Sequence, residues 1–450
     1  MTADRTIPPL PSGTSRFHWP IALRAMRHRN FQLFFSGQLI SLIGTWMQTI
    51  AQAWLVYRMT GSPLLLGTVG FASQFPVFLF SPIGGVAADR YSRHRIVIAT
   101  QTASMLLAFV LAALTLTHRV TVPQIIVLAA LLGVVNAFDV PARQAFIVEM
   151  VGKEDLMNAI ALNSSMFNGA RIVGPAVAGL VVAAIGEGWC FFANAVSYFA
   201  VIFGLLLMRL PAWLPRVVES SPLQHIVEGL RFARRTGPVA ALLLLIGVLS
   251  LVAMPYTVLM PLFADRILHS GAHGLGLLMG ATGVGALLGA LTLAAKKSLR
   301  GLGTWVGISA AGFAVTLILF SLSRNFWLSF AILVPSGFFM MVQSTSSNTL
   351  IQAMVPDHLR GRVMSLYVMG FLGLAPFGSL FAGAIADRIG APWTVIMGAL
   401  ACLIGAALFA VRLPALRVEA RRLIIAQGMA GGEPPQEMTG AIAVPDTLEE

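Results

Sequence analysis

The chain has 450 residues, 57% of them hydrophobic and only 11% charged, against about 25% charged in soluble domains, which excludes a soluble globular protein. Its formal charge of +12 accompanies no nucleic-acid motif and reads instead as basic loops gathered on one side of a membrane, so no nucleic-acid partner is expected. The two cysteines, Cys190 and Cys402, both lie in apolar runs and exclude a disulfide framework or a metal cluster; no cofactor is expected either.

Residues 1–30 form a basic arm with no apolar h-region, so no cleavable signal peptide is expected. Its end, Trp19 to Asn30, suits a short interfacial helix. Twelve apolar runs follow, at 31–57, 63–88, 95–117, 122–148, 157–185, 189–208, 239–264, 273–295, 302–322, 326–354, 363–386 and 391–412. Each is long enough to cross a bilayer and must pair its backbone internally, and the ten-residue alternation of a barrel is absent. The predicted class is therefore an all-α polytopic membrane protein.

Span one carries a polar stripe, Gln38, Ser41, Thr45, Gln48 and Gln52, whose spacings of three and four put it on one side of a helix. Uncharged amides and hydroxyls suit a cavity wall that accepts varied ligands, or hydrogen bonding between helices. Trp46 and Trp54 stack on a substrate or mark a membrane interface. Between spans two and three, the stretch Gly85-Val86-Ala87-Ala88-Asp89-Arg90-Tyr91-Ser92-Arg93-His94-Arg95 holds a carboxylate and three arginines in a loop of about seven residues. Gly84 and Gly85 at its entrance let neighbouring backbone approach.

Ionisable groups inside spans are expensive and are functional candidates by default. Span four holds Asn136, Asp139 and Arg143, and span five holds Ser164, Asn168 and Arg171 at helical spacing. Both faces are expected to point to a central cavity. Asp139 is a candidate ion-coupling carboxylate, although pairing with Arg143 keeps it ionised. The alternative is a structural ion pair. Arg171 balances either an anionic substrate or Asp139. In span five, Gly174, Pro175 and Gly179 bend the helix and allow close packing.

The longest internal polar stretch, 209–238, carries Arg209, Arg216, Arg231, Arg234 and Arg235 and divides the chain into six spans plus six. Asp265-Arg266 and Asp387-Arg388 read as solvated loop charges, with an external latch as the alternative. Span ten offers Gln343, Ser346, Ser347 and Asn348 as further cavity lining or interhelical bonding. The tail from 414 is basic, helical to about 427, then rich in Gly and Pro and expected to be disordered. The predicted domains are an arm (1–30), a six-helix bundle (31–208), a linker (209–238), a second six-helix bundle (239–413) and a tail (414–450).

With the N-terminus inside, 23 of the 30 basic residues fall in the arm, tail and loops of one face; Arg58, Arg119, Arg266, Arg324 and Arg388 fall on the other. This split places both termini in the cytoplasm. The halves are also related. Sliding the sequence by 204 residues brings Met150-Val151 onto Met354-Val355, Gly174 onto Gly378, Gly179 onto Gly383 and Trp189 onto Trp393. Spans five and six thus align with spans eleven and twelve, in the same orientation, as a parallel repeat does.

Over roughly residues 30–413 the chain resembles the major facilitator superfamily. Gly85, Asp89, Arg90, Arg93 and Arg95 match that family's signature between spans two and three, with Ser92 standing where a glycine usually precedes the arginine. Thr60-Gly61-Ser62-Pro63, Pro141-Ala142-Arg143-Gln144, Ala170-Arg171-Ile172-Val173-Gly174-Pro175, Glu228-Gly229-Leu230-Arg231-Phe232 and Arg360-Gly361-Arg362-Val363-Met364-Ser365 resemble the branch containing the enterobactin exporter and macrolide efflux proteins. Gly174-Pro175 with Ala178-Gly179 looks like a relaxed antiporter motif. The arginine that proton antiporters carry early in span four is absent, since Val122 to Asn136 holds no charge.

The resemblance implies a twelve-helix secondary transporter in the cell (inner) membrane, working by alternating access. It implies a proton-coupled exporter of hydrophobic or amphipathic small molecules such as drugs, with protons as coupling ion. It also implies a cytoplasmic latch in which Asp89 meets the start of span eleven near Arg360 and Arg362. A dedicated siderophore or metabolite exporter, a lipid carrier and a non-transporting receptor or assembly factor are the competing readings. No phosphate-cradling loop and no catalytic cluster are present, so neither ATP hydrolysis nor enzyme activity is expected. The partners expected are a small-molecule substrate and the bilayer, for a monomer.

Overall fold

The computed structural model describes residues 21–210, 222–296 and 298–427, and every regular element among them is helical. Residues 1–20, Arg216 with the prolines at 211 and 215, Lys297 and the tail beyond 427 lie outside the described residues, and so do the expectations placed on them. Twelve helices are long and apolar enough to cross a membrane: α1 Arg29–Thr60, α2 Pro63–Arg90, α3 Arg93–Leu116, α4 Val122–Val151, α5 Leu156–Ile185, α6 Glu187–Leu206, α7 Gly237–Ile267, α8 Gly271–Ala294, α9 Leu302–Leu322, α10 Phe326–Met354, α11 Asp357–Ile389 and α12 Ala391–Ala426. Large apolar side chains such as Leu180, Phe203, Leu244, Trp327 and Leu408 stand exposed on the outside. In water such a surface drives aggregation; facing lipid it costs nothing. The protein is a multi-pass membrane protein.

The turns are short for local reasons. Gly61 takes φ 62° after α1, its N–H bonding back to Tyr57 O, and Ser62 Oγ then accepts from Leu65 N while Pro63 opens α2. This combines a left-handed glycine C-cap, a serine N-cap and a proline at the first helical position, and it explains Thr60-Gly61-Ser62-Pro63 physically. Between α2 and α3 only Tyr91 and Ser92 are non-helical. The expected seven-residue loop is thus a two-residue turn, with Asp89 and Arg90 inside the last turn of α2, because Arg93 staples the corner. Its guanidinium donates to Ala88 O (3.1 Å), to Ala145 O (3.3 Å) and to Glu149 Oε1 (3.0 Å) on α4.

The two halves, α1–α6 and α7–α12, repeat one pattern of neighbours. The contacts α2–α4, α3–α4 and α3–α6 recur as α8–α10, α9–α10 and α9–α12, and the halves meet along α2–α11 and α5–α8. A short helix in the linker, Pro222–Arg235, lies against the start of α11. A Cβ on Gly229 would come within 2.8 Å of Arg362 O, and Glu228 pairs with Arg362. The helix expected from 414 to about 427 is present and continues span twelve without interruption. α12 runs through Pro414 for 36 residues, about 54 Å against about 30 Å of hydrocarbon. Its projecting end puts Glu419 Oε1 3.2 Å from Gly237 N, at the start of α7.

The described end of the arm, from residue 21 onward, is clasped to the α4–α5 turn. A 3-10 turn, Ile21–Arg27, brings Arg24, Arg27 and His28 to within 2.8, 2.8 and 2.7 Å of Asp155, whose side chain is 1% exposed. The hydrogen bond from His28, aided by the charges of Arg27 and Arg24, lowers the carboxyl below its ordinary value. A depressed folded-state value means that the clasp is fully present above the unfolded value, about 3.9, and is lost as pH falls through the folded one. This end of the arm should therefore resist protease at pH 5 and yield only below the usual aspartate range, whereas Asp155→Asn should expose it at neutral pH.

Candidate functional site

One end of the bundle carries the 3-10 turn Ile21–Arg27, the α2–α3 turn, the linker helix and the α12 extension, and is called the basic end. The opposite end is closed by backbone contact between the halves. On the α5–α8 side, a Cβ on Gly179 would lie 3.0 Å from both Ala272 O and His273 O, and one on Gly276 2.9 Å from Gly179 Cα. On the α2–α11 side, a Cβ on Gly383 would lie 2.6 Å from Pro63 O and 3.0 Å from Gly67 Cα. Only glycine allows such an approach. The two seams are related by the internal repeat, because Gly179 and Gly383 are the pair that the 204-residue shift superimposes.

Side chains fasten the same end. Tyr57 Oη donates to Asp265 Oδ2 (2.7 Å), Arg266 Nη2 donates to Gly61 O (3.1 Å), and the Arg266 guanidinium lies 5.7 Å from the Tyr57 ring centroid. Asp265 and Arg266 thus form a latch between the halves instead of solvated loop charges. Asp387 and Arg388 are exposed, as loop charges are. Within the first half, Arg58 adds a two-pronged bond to Glu187 at 2.8 and 3.1 Å.

At the basic end the halves part. A cavity of ≈ 460 Å³ opens between α5 of the first half and α8 and α10 of the second, lined among others by Ser164, Asn168, Leu291, Met341, Thr345 and Thr349. Asn168 Nδ2 donates to Ser164 O at 2.9 Å, one turn back on the same helix. One turn further in, Arg171 reaches across to the second half. Its Nη2 is 4.0 Å from Met340 Sδ and its guanidinium 5.9 Å from the Trp46 ring centroid, and Trp46 in turn meets Phe167 edge-on at 5.7 Å.

The other expected residues sit differently. Asp139 is 3% exposed and faces α3, where Thr100 Oγ1 and Gln101 Nε2 donate to its Oδ1 at 2.8 and 2.9 Å while Arg143 Nε lies 3.1 Å from Oδ2. This acid is enclosed in the first half, away from the cavity; Asn136 is partly buried on the same helix. The stripe on α1 also turns inward. Gln38 and Ser41 are buried, Gln48 Oε1 accepts from Asn194 Nδ2 of α6 at 2.7 Å, and Thr45 Oγ1 donates to Ser41 O. Gln52 is partly buried. On α10, Gln343 and Ser346 have 0% exposure, and Gln343 donates to Ser347; Met341, Thr345 and Thr349, on a neighbouring face, line the cavity instead.

The expected meeting of Asp89 with the start of α11 is not made in this state. Asp89 lies 3.5 Å from Arg93, Arg362 pairs with Glu228, and Arg360 pairs with Asp357 at 2.6 Å. Arg90 and Arg95 are exposed. Nothing lies within 4 Å of a Cβ on Gly85, whereas Gly84 packs directly on Ala137 O, so Gly84 is the glycine that close packing requires here. Gly174 meets Trp46, Ile43 and Met47 of α1, and Pro175 O faces Gly276. The bend motif therefore joins α1 to the α5–α8 seam. Tyr57, Thr100, Gln101, Glu149, Asn194 and Glu228 were not singled out in the sequence. Only Glu228 carried a signal, as part of a matched stretch, and its partner lies 134 positions away.

A family model described as "Transmembrane secretion effector" matches residues 21–431. The chain belongs to that family, within the major facilitator superfamily. The multidrug efflux pump Tap of Mycolicibacterium fortuitum is 31% identical over 86% of this chain and 96% of its own length. The enterobactin exporter EntS of Shigella boydii serotype 4 is 27% identical over 90% and 96%. The fold is shared with a bacterial homologue of the iron transporter ferroportin, solved in an inward-facing state, with a TM-score of 0.64 and 16% identity over 85% of this chain and 98% of that one. This member of the family is a major facilitator transporter, as the signatures implied, and not an enzyme.

Proposed function

We propose that the protein is a proton-coupled secondary exporter of hydrophobic or amphipathic small molecules, resident in the cell membrane with its basic end and both termini in the cytoplasm. The observation that carries this reading is the pair of halves sealed at one end by glycine seams and parted at the other around a cavity. This is one of the two states that alternating access requires. Cargo enters from the cytoplasm between α5, α8 and α10. Tap and EntS, named for multidrug and enterobactin export, bracket the kind of cargo.

The return state closes the basic end. Asp89, now held by Arg93, exchanges to the start of α11, whose helix N-terminus favours an anion, and Arg362 leaves Glu228. The open space at Gly85 receives the approaching helix. The test is dye and drug efflux from proteoliposomes with an imposed pH gradient. Wild type should accumulate cargo against its gradient, and Asp89→Asn should slow transport by roughly tenfold while binding is preserved. Transport indifferent to the pH gradient removes proton coupling. No cargo movement in any condition removes the exporter reading.

A further inference from the structure

Two basic residues stand in the interiors of the spans, and they are treated differently. Arg143 is neutralised by Asp139 at 3.1 Å. Arg171 has no carboxylate within salt-bridge distance among the described residues; its neighbours are a thioether, Met340 Sδ, the face of Trp46 and the buried phenol of Tyr256 on α7. It is deeply surrounded by protein and only partly accessible. A guanidinium held in that way keeps a large desolvation cost, and a sulfur and a ring face return only a part of it. The cation has a vacancy on its charge that a carboxylate in the fold would have filled.

Its position adds the second observation. Arg171 is not itself among the lining residues; it stands one helical turn beyond Asn168, directly past the end of the α5 wall formed by Ala161, Ser164, Ser165 and Asn168, and its partner Met340 precedes the lining residue Met341. No aspartate or glutamate lies among the residues lining that cavity, so nothing there would repel an anion or compete for the guanidinium. The side chains around Arg171 are largely apolar and aromatic: Trp46, Phe167, Met340 and Tyr256. A second aromatic group, Phe71, Phe75, Phe78 and Phe377, joins α2 to α11 across the other seam, with Phe71 stacked on Phe75 at 4.8 Å.

We infer that the cargo is an amphipathic organic anion, its acidic group bound by Arg171 and its aromatic or apolar body lying against Trp46, Phe167 and Met340. This rests on the transport reading above and narrows it. It also sets the direction of the electrical work. An anion leaving the cell and a proton entering both move positive charge inward, so an interior-negative potential favours both.

The test uses two dyes that share a xanthene ring system and differ in charge, anionic fluorescein and cationic rhodamine 123, bound at equilibrium to the purified full chain in nanodiscs. Wild type is expected to bind fluorescein at least roughly tenfold more tightly than rhodamine 123. Arg171→Lys should keep most of that preference and Arg171→Gln should lose it without weakening rhodamine 123. Should Arg171→Gln fail to fold, Met340→Glu provides a carboxylate beside the intact arginine and should depress fluorescein binding alone. Equal binding of the two dyes, binding of neither, or a preference unmoved in both variants overturns the inference. Binding is read apart from transport: a wild type that binds fluorescein yet moves nothing in proteoliposomes refutes the exporter reading and leaves this site standing.

Discussion

Gly276→Leu is expected to hold the opposite end apart and to depopulate the state described here. The α5–α8 seam is backbone on backbone: a Cβ at Gly276 already meets Gly179 Cα at 2.9 Å and Gly179 N at 3.0 Å. Those atoms belong to a helix and cannot rotate away as the end of a side chain can. Overpacking of this kind costs about 1–3 kcal/mol, which changes the balance of two states by about 5- to 150-fold. The conformation open at the opposite end, in which the seam is already parted, does not bear that cost. A cysteine introduced at Val258, on α7 near the α2 seam, should become reactive to a membrane-impermeant maleimide from the opposite side in the variant and stay silent in the parent. Transport should fall by a similar factor. An unlabelled, fully active variant would show that the seam is not what closes this end.

Asp139→Asn is expected to destabilise the first half and to leave the pH dependence of residual transport unchanged. The carboxylate collects Thr100, Gln101 and Arg143, joining α3 to α4, and an asparagine leaves Arg143 enclosed without a countercharge. Removing one partner of a buried pair costs about 3–5 kcal/mol in soluble proteins; interhelical bonds in membranes average nearer about 0.6 kcal/mol, and the charged pair belongs toward the upper figure. Thermal unfolding in detergent should show the loss, with partial recovery in Asp139→Asn/Arg143→Gln. A variant that keeps its stability and loses its response to a pH gradient would make Asp139 the proton site after all.

The spans were legible because lipid permits so few alternatives. A run of apolar residues long enough to cross must be a helix, and boundaries moved mainly where caps such as Gly61-Ser62-Pro63 or the Arg93 staple decide them. The two seams were half legible. Gly179 and Gly383 stood out through the repeat, yet their partners Gly276 and Gly67 emerge only from the packing. The cavity was read least well. Helical spacing shows that Gln38, Ser41, Thr45 and Gln48 share a face but not what that face meets, and amides suit a water-filled cavity and a dry helix contact equally. Here the contact with Asn194 prevails. On α10 the same ambiguity moved the lining from Gln343 and Ser346 to the face of Thr345 and Thr349. Asp265 and Arg266 were read as solvated because a pair of charges at a helix end looks the same whether or not Tyr57 and Gly61 stand opposite.

The π turns give the two halves different kinds of bending point. α7 contains them at Leu249–Ala253 and Phe263–Ile267, and α11 at Met369–Gly373, and Ser250 Oγ on the first donates to Phe371 O in the last at 2.5 Å. Such widened turns concentrate bending, and among the described residues α1–α6 have none. The first half bends instead at its interior prolines, Pro76, Pro82, Pro141 and Pro175, while the second half carries a hinge of another kind, placed where two helices widen together and are tied by the Ser250–Phe371 bond. Spin-label distances across the Ser250–Phe371 region should change through the transport cycle.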